Sequence, residues 1–169
     1  FSDVWGVLHD GLTAYTAATD ALERFRASGG TVVLVSNAPV PNARVAEMLG
    51  DKKVPRGAWD CIVSSGDIAL SHIDAAGYER LHWIGPVDRD AALFDKMHWS
   101  SARLEEADGI LCSGLNDDIN ETAEDYRARL ETALERRLPF VCANPDLVVD
   151  VGGRLYPCAG AIADLYQGM

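Results

Sequence analysis

Two kinds of hydrophobic pattern alternate along the first eighty residues. "TVVLVSN" (31–37) is an unbroken aliphatic run with no polar alternation, which predicts a strand covered on both faces of a parallel sheet. "FSDVWGVL" holds the end of an earlier strand and its turn, and "DCIVSSG" (60–66) reads as a third strand. Between them, "TAATDALERFRASGG" (16–30) places Ala21, Leu22 and Phe25 at helical spacing, with an acidic start and a Gly29-Gly30 stop. "NARVAEMLG" is a second helix ended by Gly50, and the third strand runs into "GDIALSHIDAAG" (66–77). Such βαβαβ order implies parallel strands joined by right-handed crossovers.

The pattern restarts near residue 80. "RLHWIGP" and "ADGILCSGL" read as strands, with a short helix "DRDAALFDKM" (88–97) between them. "INETAEDYRARLETALERRL" (119–138) predicts one long amphipathic helix, acidic early and closing on Arg136-Arg137, which suits the helix dipole. "PFVCANPD" follows, then a hairpin "LVVDVGGRLYP" turning at Gly152-Gly153. The topology divides the chain into residues 1–79 and a second α/β unit over 80–169.

Length and charge narrow the function. The 169 residues suffice for a sizeable core, and 48% hydrophobic with 24% charged residues describes a globular chain. A net charge of −11 argues against nucleic acid or an anionic membrane as partner, since both repel a polyanion. A small anionic substrate stays compatible, because a local pocket can oppose the global field, and so does a homo-oligomer. There is no apolar run of spanning length and no signal peptide, so a soluble, cytoplasmic protein is expected. Cys61, Cys112, Cys142 and Cys158 form no CxxC pair and read as buried free thiols. The scattered histidines read as packing or surface residues. Both ends look cut: only Phe1-Ser2 precede Asp3, so the sequence reads as a fragment of a longer protein.

The candidate chemistry lies where strands end. Ligands of open parallel sheets gather at the carboxyl ends of strands. Asp3 lies near the end of the first strand and Ser36-Asn37 end the second. Neighbouring strands lie ~4.8 Å apart, so carboxylate and hydroxyl can face one cleft. Each is otherwise only a strand-to-loop transition, with Ser36 capping the following turn.

In order and spacing, "DVWGVL" and "LVSNAP" resemble the first two motifs of the haloacid dehalogenase-like superfamily. The chain is most similar to its class IIA branch, which includes sugar-phosphate, nitrophenyl-phosphate and pyridoxal-phosphate phosphatases. The "NPD" segment Asn144-Pro145-Asp146 lies in the matching part of the branch's inserted cap. The resemblance implies an α/β fold: a Rossmann-like three-layer core with a parallel sheet and an inserted α/β cap of the C2 type, here truncated. It also implies a phosphatase acting on a small phosphorylated metabolite. Asp3 would be the nucleophile that forms an aspartyl-phosphate, and Mg2+ would be held by Asp3 and the carbonyl of Trp5. Ser36 would serve catalysis by binding phosphoryl oxygens with the Asn37 amide, and Asn144 would contact substrate.

Two departures bear on activity. The family's second aspartate, its general acid and base, is Trp5 here, and indole transfers no proton at neutral pH. General acid–base help is typically worth ~10²–10⁴-fold, so turnover is expected to be weak. His9 and Asp10 follow closely, but read as solvent-exposed flap residues. The family's later lysine and metal-binding aspartate normally follow the cap, where this sequence ends, and Lys96, inside the cap pattern, is no substitute. Two rival readings stand beside this one: a dehalogenase-like hydrolase that uses Asp3 on carbon, and a non-catalytic module that binds a phosphorylated ligand.

Overall fold

The computed structural model describes residues 1–93 and 98–169. The first sheet is built from β1 (Ser2–Asp3), β2 (Val33–Ser36) and β3 (Cys61–Ser64), all parallel in the order β1-β2-β3. Helices α1 (Thr16–Ala27) and α2 (Asn42–Asp51) connect them. Leu34 and its register partner Ile62 face Val45 and Leu49 of α2 and Ala18 and Leu22 of α1, forming one core.

Within these 169 residues β2 is covered on one face, not on the two expected. Leu34 is fully buried, whereas Val35 is 41% exposed and its partner Val63 40%. Strand side chains alternate in direction, and α1 and α2 pack only on the Leu34 side. The stripe expected on α1 is also displaced. Thr19 is buried and Leu22 half-buried, while Ala21 and Phe25 are exposed, so the core-facing positions are Ala18, Thr19 and Leu22. The acidic start is Asp20, one turn into the helix.

The second unit opens with α3 (Ser65–Ala76), β4 (Arg80–Ile84), α4 (Val87–Asp90), β5 (Ser100–Ser101) and β6 (Gly109–Cys112). It continues through α5 (Arg127–Glu135), β7 (Phe140–Cys142), β8 (Val148–Val151), β9 (Arg154–Pro157) and α6 (Ala159–Gly168). The four strands β5-β4-β6-β7 form a parallel sheet, and β8 with β9 is an antiparallel hairpin turning at Gly152 and Gly153, both at positive φ. Here both faces are covered. Leu81, Leu111 and Val141 meet Ala69 and Ile73 of α3, while Ile84, Ile110 and Cys112 meet Leu130 of α5 and Ile162 of α6. A division at residue 79 assigns α3 to the first sheet, yet its buried side chains pack on the second.

The long helix expected over 119–138 is shortened to α5, preceded by a 3-10 turn at Ala123–Tyr126. Thr122 and Asp125 form a reciprocal capping box that starts the turn there. Asp117 accepts from the amides of Ile119 and Asn120, which holds the preceding residues in a loop. The short helix expected over 88–97 begins as α4 and a 3-10 turn at Ala91–Leu93; its remainder, with Lys96, lies outside the described residues. All four cysteines are free, but Cys61 is exposed rather than buried. Among the described residues, no helix is long and apolar enough to cross a membrane.

Candidate functional site

Strand register decides which side chains meet. Asp3 pairs with Val35, so Ser36 lies one residue past the partner of Asp3, and Ser36 itself pairs with Ser64. The carboxylate and two hydroxyls thus occupy consecutive strand ends along one carboxyl edge. Asp3 is exposed, and its Oδ1 accepts the Val4 amide at 2.6 Å. Ser36 is 7% exposed and its Oγ accepts the Ala38 amide at 3.2 Å, the turn-capping role. An accepting hydroxyl keeps its own proton to donate. Ser64 was not singled out in the sequence. It is fully buried and caps α3, accepting from the Asp67 amide at 3.1 Å. The signal was legible as a serine ending a strand three residues before an acid.

The segment after Asp3 folds over this edge as a tight flap. The Trp5 indole donates to the Asp150 carbonyl on the β8–β9 hairpin at 3.1 Å. A Cβ on Gly11 would lie 2.7 Å from the Trp5 ring, so the glycine makes room for the indole. Trp5 thereby clamps the flap to the hairpin. His9 corrects the expectation of an exposed flap residue: it is 3% exposed, edge-on to Trp5 with ring centroids 5.0 Å apart. Its Nδ1 accepts the Gly11 amide at 2.9 Å, which places the proton of the neutral ring on Nε2. Burial lowers its pKa, with Lys52 adding to the effect. The Asp10 carboxylate accepts the Leu12 and Thr13 amides, both at 2.8 Å, so it serves as a turn cap. Those amides hold its pKa below the ordinary carboxylate value.

The first sheet's edge is tied to the end of β7. Asn37 Nδ2 donates to Asp146 Oδ1 at 2.9 Å, joining residues 109 positions apart. Asn144 Oδ1 accepts the Asp146 amide at 3.1 Å, so the side chain of Asn144 orients the residue that holds Asn37. Asp146 was legible as the last residue of the quoted "NPD", although only Asn144 was assigned a role. For a hard cation such as Mg2+, the exposed Asp3 carboxylate and a backbone carbonyl at Trp5 are suitable oxygen donors. Among the described residues, no three His, Cys, Asp or Glu side chains gather to hold a metal by themselves. Mg2+ commonly uses one or two carboxylates beside water and substrate phosphate, so this donor set fits it.

Comparisons with known proteins agree with the fold. The family model described as haloacid dehalogenase-like hydrolase matches residues 1–99. A haloacid dehalogenase-like family hydrolase from Brucella suis superposes with a TM-score of 0.93 at 44% identity, covering 99% of this chain and 64% of that one. A p-nitrophenyl phosphatase from Archaeoglobus fulgidus gives 0.71 at 20% identity, covering 98% and 62%. A glycerol phosphate phosphatase from Mycobacterium tuberculosis, solved with calcium, gives 0.67 at 19%, covering 99% and 49%. The chain therefore spans less than two thirds of each of these proteins. No curated protein matches it significantly.

Proposed function

This chain belongs to the haloacid dehalogenase-like hydrolase family, and we propose that the protein containing it is a Mg2+-dependent phosphomonoesterase acting on a small phosphorylated metabolite. The observation that carries the reading is the register of β1 on β2, with Asp3 one position short of Ser36 at a shared carboxyl edge. Asp3 is the nucleophile: a carboxylate is ionised at neutral pH and needs no helper base. Its oxygen attacks phosphorus, the ester oxygen leaves with the alcohol, and water then cleaves the aspartyl-phosphate. The Ser36 hydroxyl and the Asn37 amide donate to phosphoryl oxygens as negative charge builds on them. Asp3 and the Trp5 carbonyl would hold Mg2+, which would offset repulsion between carboxylate and phosphate.

Trp5 sets the pace. Its indole clamps the hairpin and supplies no proton, so poor leaving groups depart slowly. The same clamp favours a second reading, in which the site binds a phosphorylated ligand with little turnover. Phosphate release by the full-length protein, with and without Mg2+, separates the two. Asp3→Asn should bring hydrolysis below detection while leaving stability within about 0.5 kcal/mol, as for other exposed substitutions. Unchanged turnover by the purified variant eliminates Asp3 as nucleophile.

A further inference from the structure

The loop that carries the phosphoryl donors rests on a helix that belongs to the other sheet. Residues 37–41 link the end of β2 to α2, and α3 begins beside them. Gly66 makes the approach. Its amide donates to the Ala38 carbonyl at 3.1 Å, and a Cβ there would lie 2.5 Å from the Val40 backbone. Backbone cannot swing aside as a flexible side chain can, so glycine is what lets the loop lie this close. One residue on, Asp67 Oδ2 accepts the Asn42 amide at 2.8 Å, the amide with which α2 starts.

The Asp67 carboxylate is itself held. Oδ2 also accepts the Ser64 hydroxyl at 3.0 Å, and the Asp67 amide donates back to Ser64 Oγ at 3.1 Å. This exchange separates the two serines of the carboxyl edge. Ser64 gives its proton to Asp67, whereas Ser36 Oγ accepts the Ala38 amide and keeps its proton to donate. The helix behind them is firmly seated, because Ala69 and Ile73 of α3 are buried against the second sheet.

The loop is thus fixed near both ends by the first turn of α3, at Ala38 and at Asn42. Donors aimed at developing charge lower a barrier only when they are held in place beforehand, and a ~1 Å displacement can cost ~10²-fold in rate. Resting on the phosphomonoesterase reading, we infer that Asp67 is a positioning residue of the phosphoryl site. Through the Asn42 amide, with Gly66 seated under Ala38 and Val40, it holds the Ser36 hydroxyl and the Asn37 amide in line with the transferring group.

The test uses the full-length protein with Mg2+, turnover of 4-nitrophenyl phosphate, and calorimetry with orthovanadate, whose five-coordinate adduct resembles the transition state. Asp67→Ala frees the Asn42 amide and should lower kcat and orthovanadate affinity at least about tenfold, with KM within about threefold, since the donors act on charge that builds late. Asp67→Asn loses the charge but keeps an oxygen for the Asn42 amide and the Ser64 hydroxyl. It should return both quantities to within about threefold of wild type. Ile73→Val loosens the opposite face of α3 and should leave both unchanged. Three results overturn the assignment: an Asp67→Ala variant that works like wild type, an Asp67→Asn variant as impaired as Asp67→Ala, or a folded Ile73→Val variant that loses as much. A wild type that binds orthovanadate without turnover, with the same loss and the same rescue, defeats the phosphatase reading alone. A wild type that neither turns over nor binds orthovanadate defeats both.

Discussion

The two parallel sheets use the same strand vocabulary and end in different states. Every residue of β6 is buried, with α3 on one face and α5 and α6 on the other. In β2 the burial alternates, Leu34 inside and Val35 out. The sheet covered on one side carries Asp3, the proposed nucleophile, and the sheet covered on both borders the half-exposed Arg89 paired with buried Asp90. The contrast is informative because aliphatic residues build both strands. What differs is the number of helices packed on them, which sets how much each side chain contributes to stability.

Substitution should reproduce that contrast. Leu111→Ala opens a cavity between two helical layers and should cost about 2–5 kcal/mol in urea unfolding. Val35→Thr, on the open face, should stay within about 0.5 kcal/mol. A cost for Val35→Thr approaching that of Leu111→Ala would mean the face is covered in solution, and sedimentation would tell a second copy from another part of the same protein.

The second comparison lies between the flap and the hairpin it holds. In the full-length protein, Trp5→Asp should raise Mg2+-dependent turnover of an alkyl phosphate by up to about 10²-fold, because a carboxyl can then protonate the leaving oxygen. An aryl phosphate, whose phenolate leaves unaided, should gain less. The lost indole contacts and the Asp150 bond should cost about 1–3 kcal/mol, since Trp5 is only half-buried. If the folded variant hydrolyses alkyl phosphates no faster than wild type, a missing acid is not what limits the enzyme.

A smaller effect distinguishes the flap by pH. His9 has its folded-state pKa lowered from 6.5, so folded and unfolded chains bind the same protons above that value. As pH falls below 6.5 the unfolded chain takes up a proton first and stability drops, until the lowered folded pKa is passed. His9→Asn keeps an acceptor for the Gly11 amide without titrating. Its unfolding midpoint should therefore fall less than that of wild type between about pH 8 and 5. Parallel pH profiles would remove His9 as the source of acid sensitivity. Smallest is the bond joining the two regions: a double-mutant cycle on Asn37→Ala and Asp146→Ala should give a coupling of about 0.5–1 kcal/mol. Additive effects would show that the pair does not hold the edges together.

Much of the site could be read from residue order alone. Asp3 and Ser36 end strands that any parallel βαβ arrangement brings side by side, and β1 does pair with β2, Asp3 opposite Val35. His9 could not be read in this way. A histidine in "LHDG" looks like a polar turn, and only the packing of the Trp5 ring and the Gly11 amide against it explains its burial. Arg89–Asp90 was equally silent, because adjacent opposite charges are ordinary on a surface helix.

The sequence by itself determined the βαβαβ order, the hairpin at Gly152-Gly153 and the family, since these depend on local periodicity, turn chemistry and short motifs. Tertiary structure alone decided which sheet owns α3, which face of β2 the helices α1 and α2 cover, and what the Trp5 indole holds. Those outcomes depend on contacts between residues far apart in the chain, up to 145 positions for Trp5 and Asp150, and no local pattern encodes the partner.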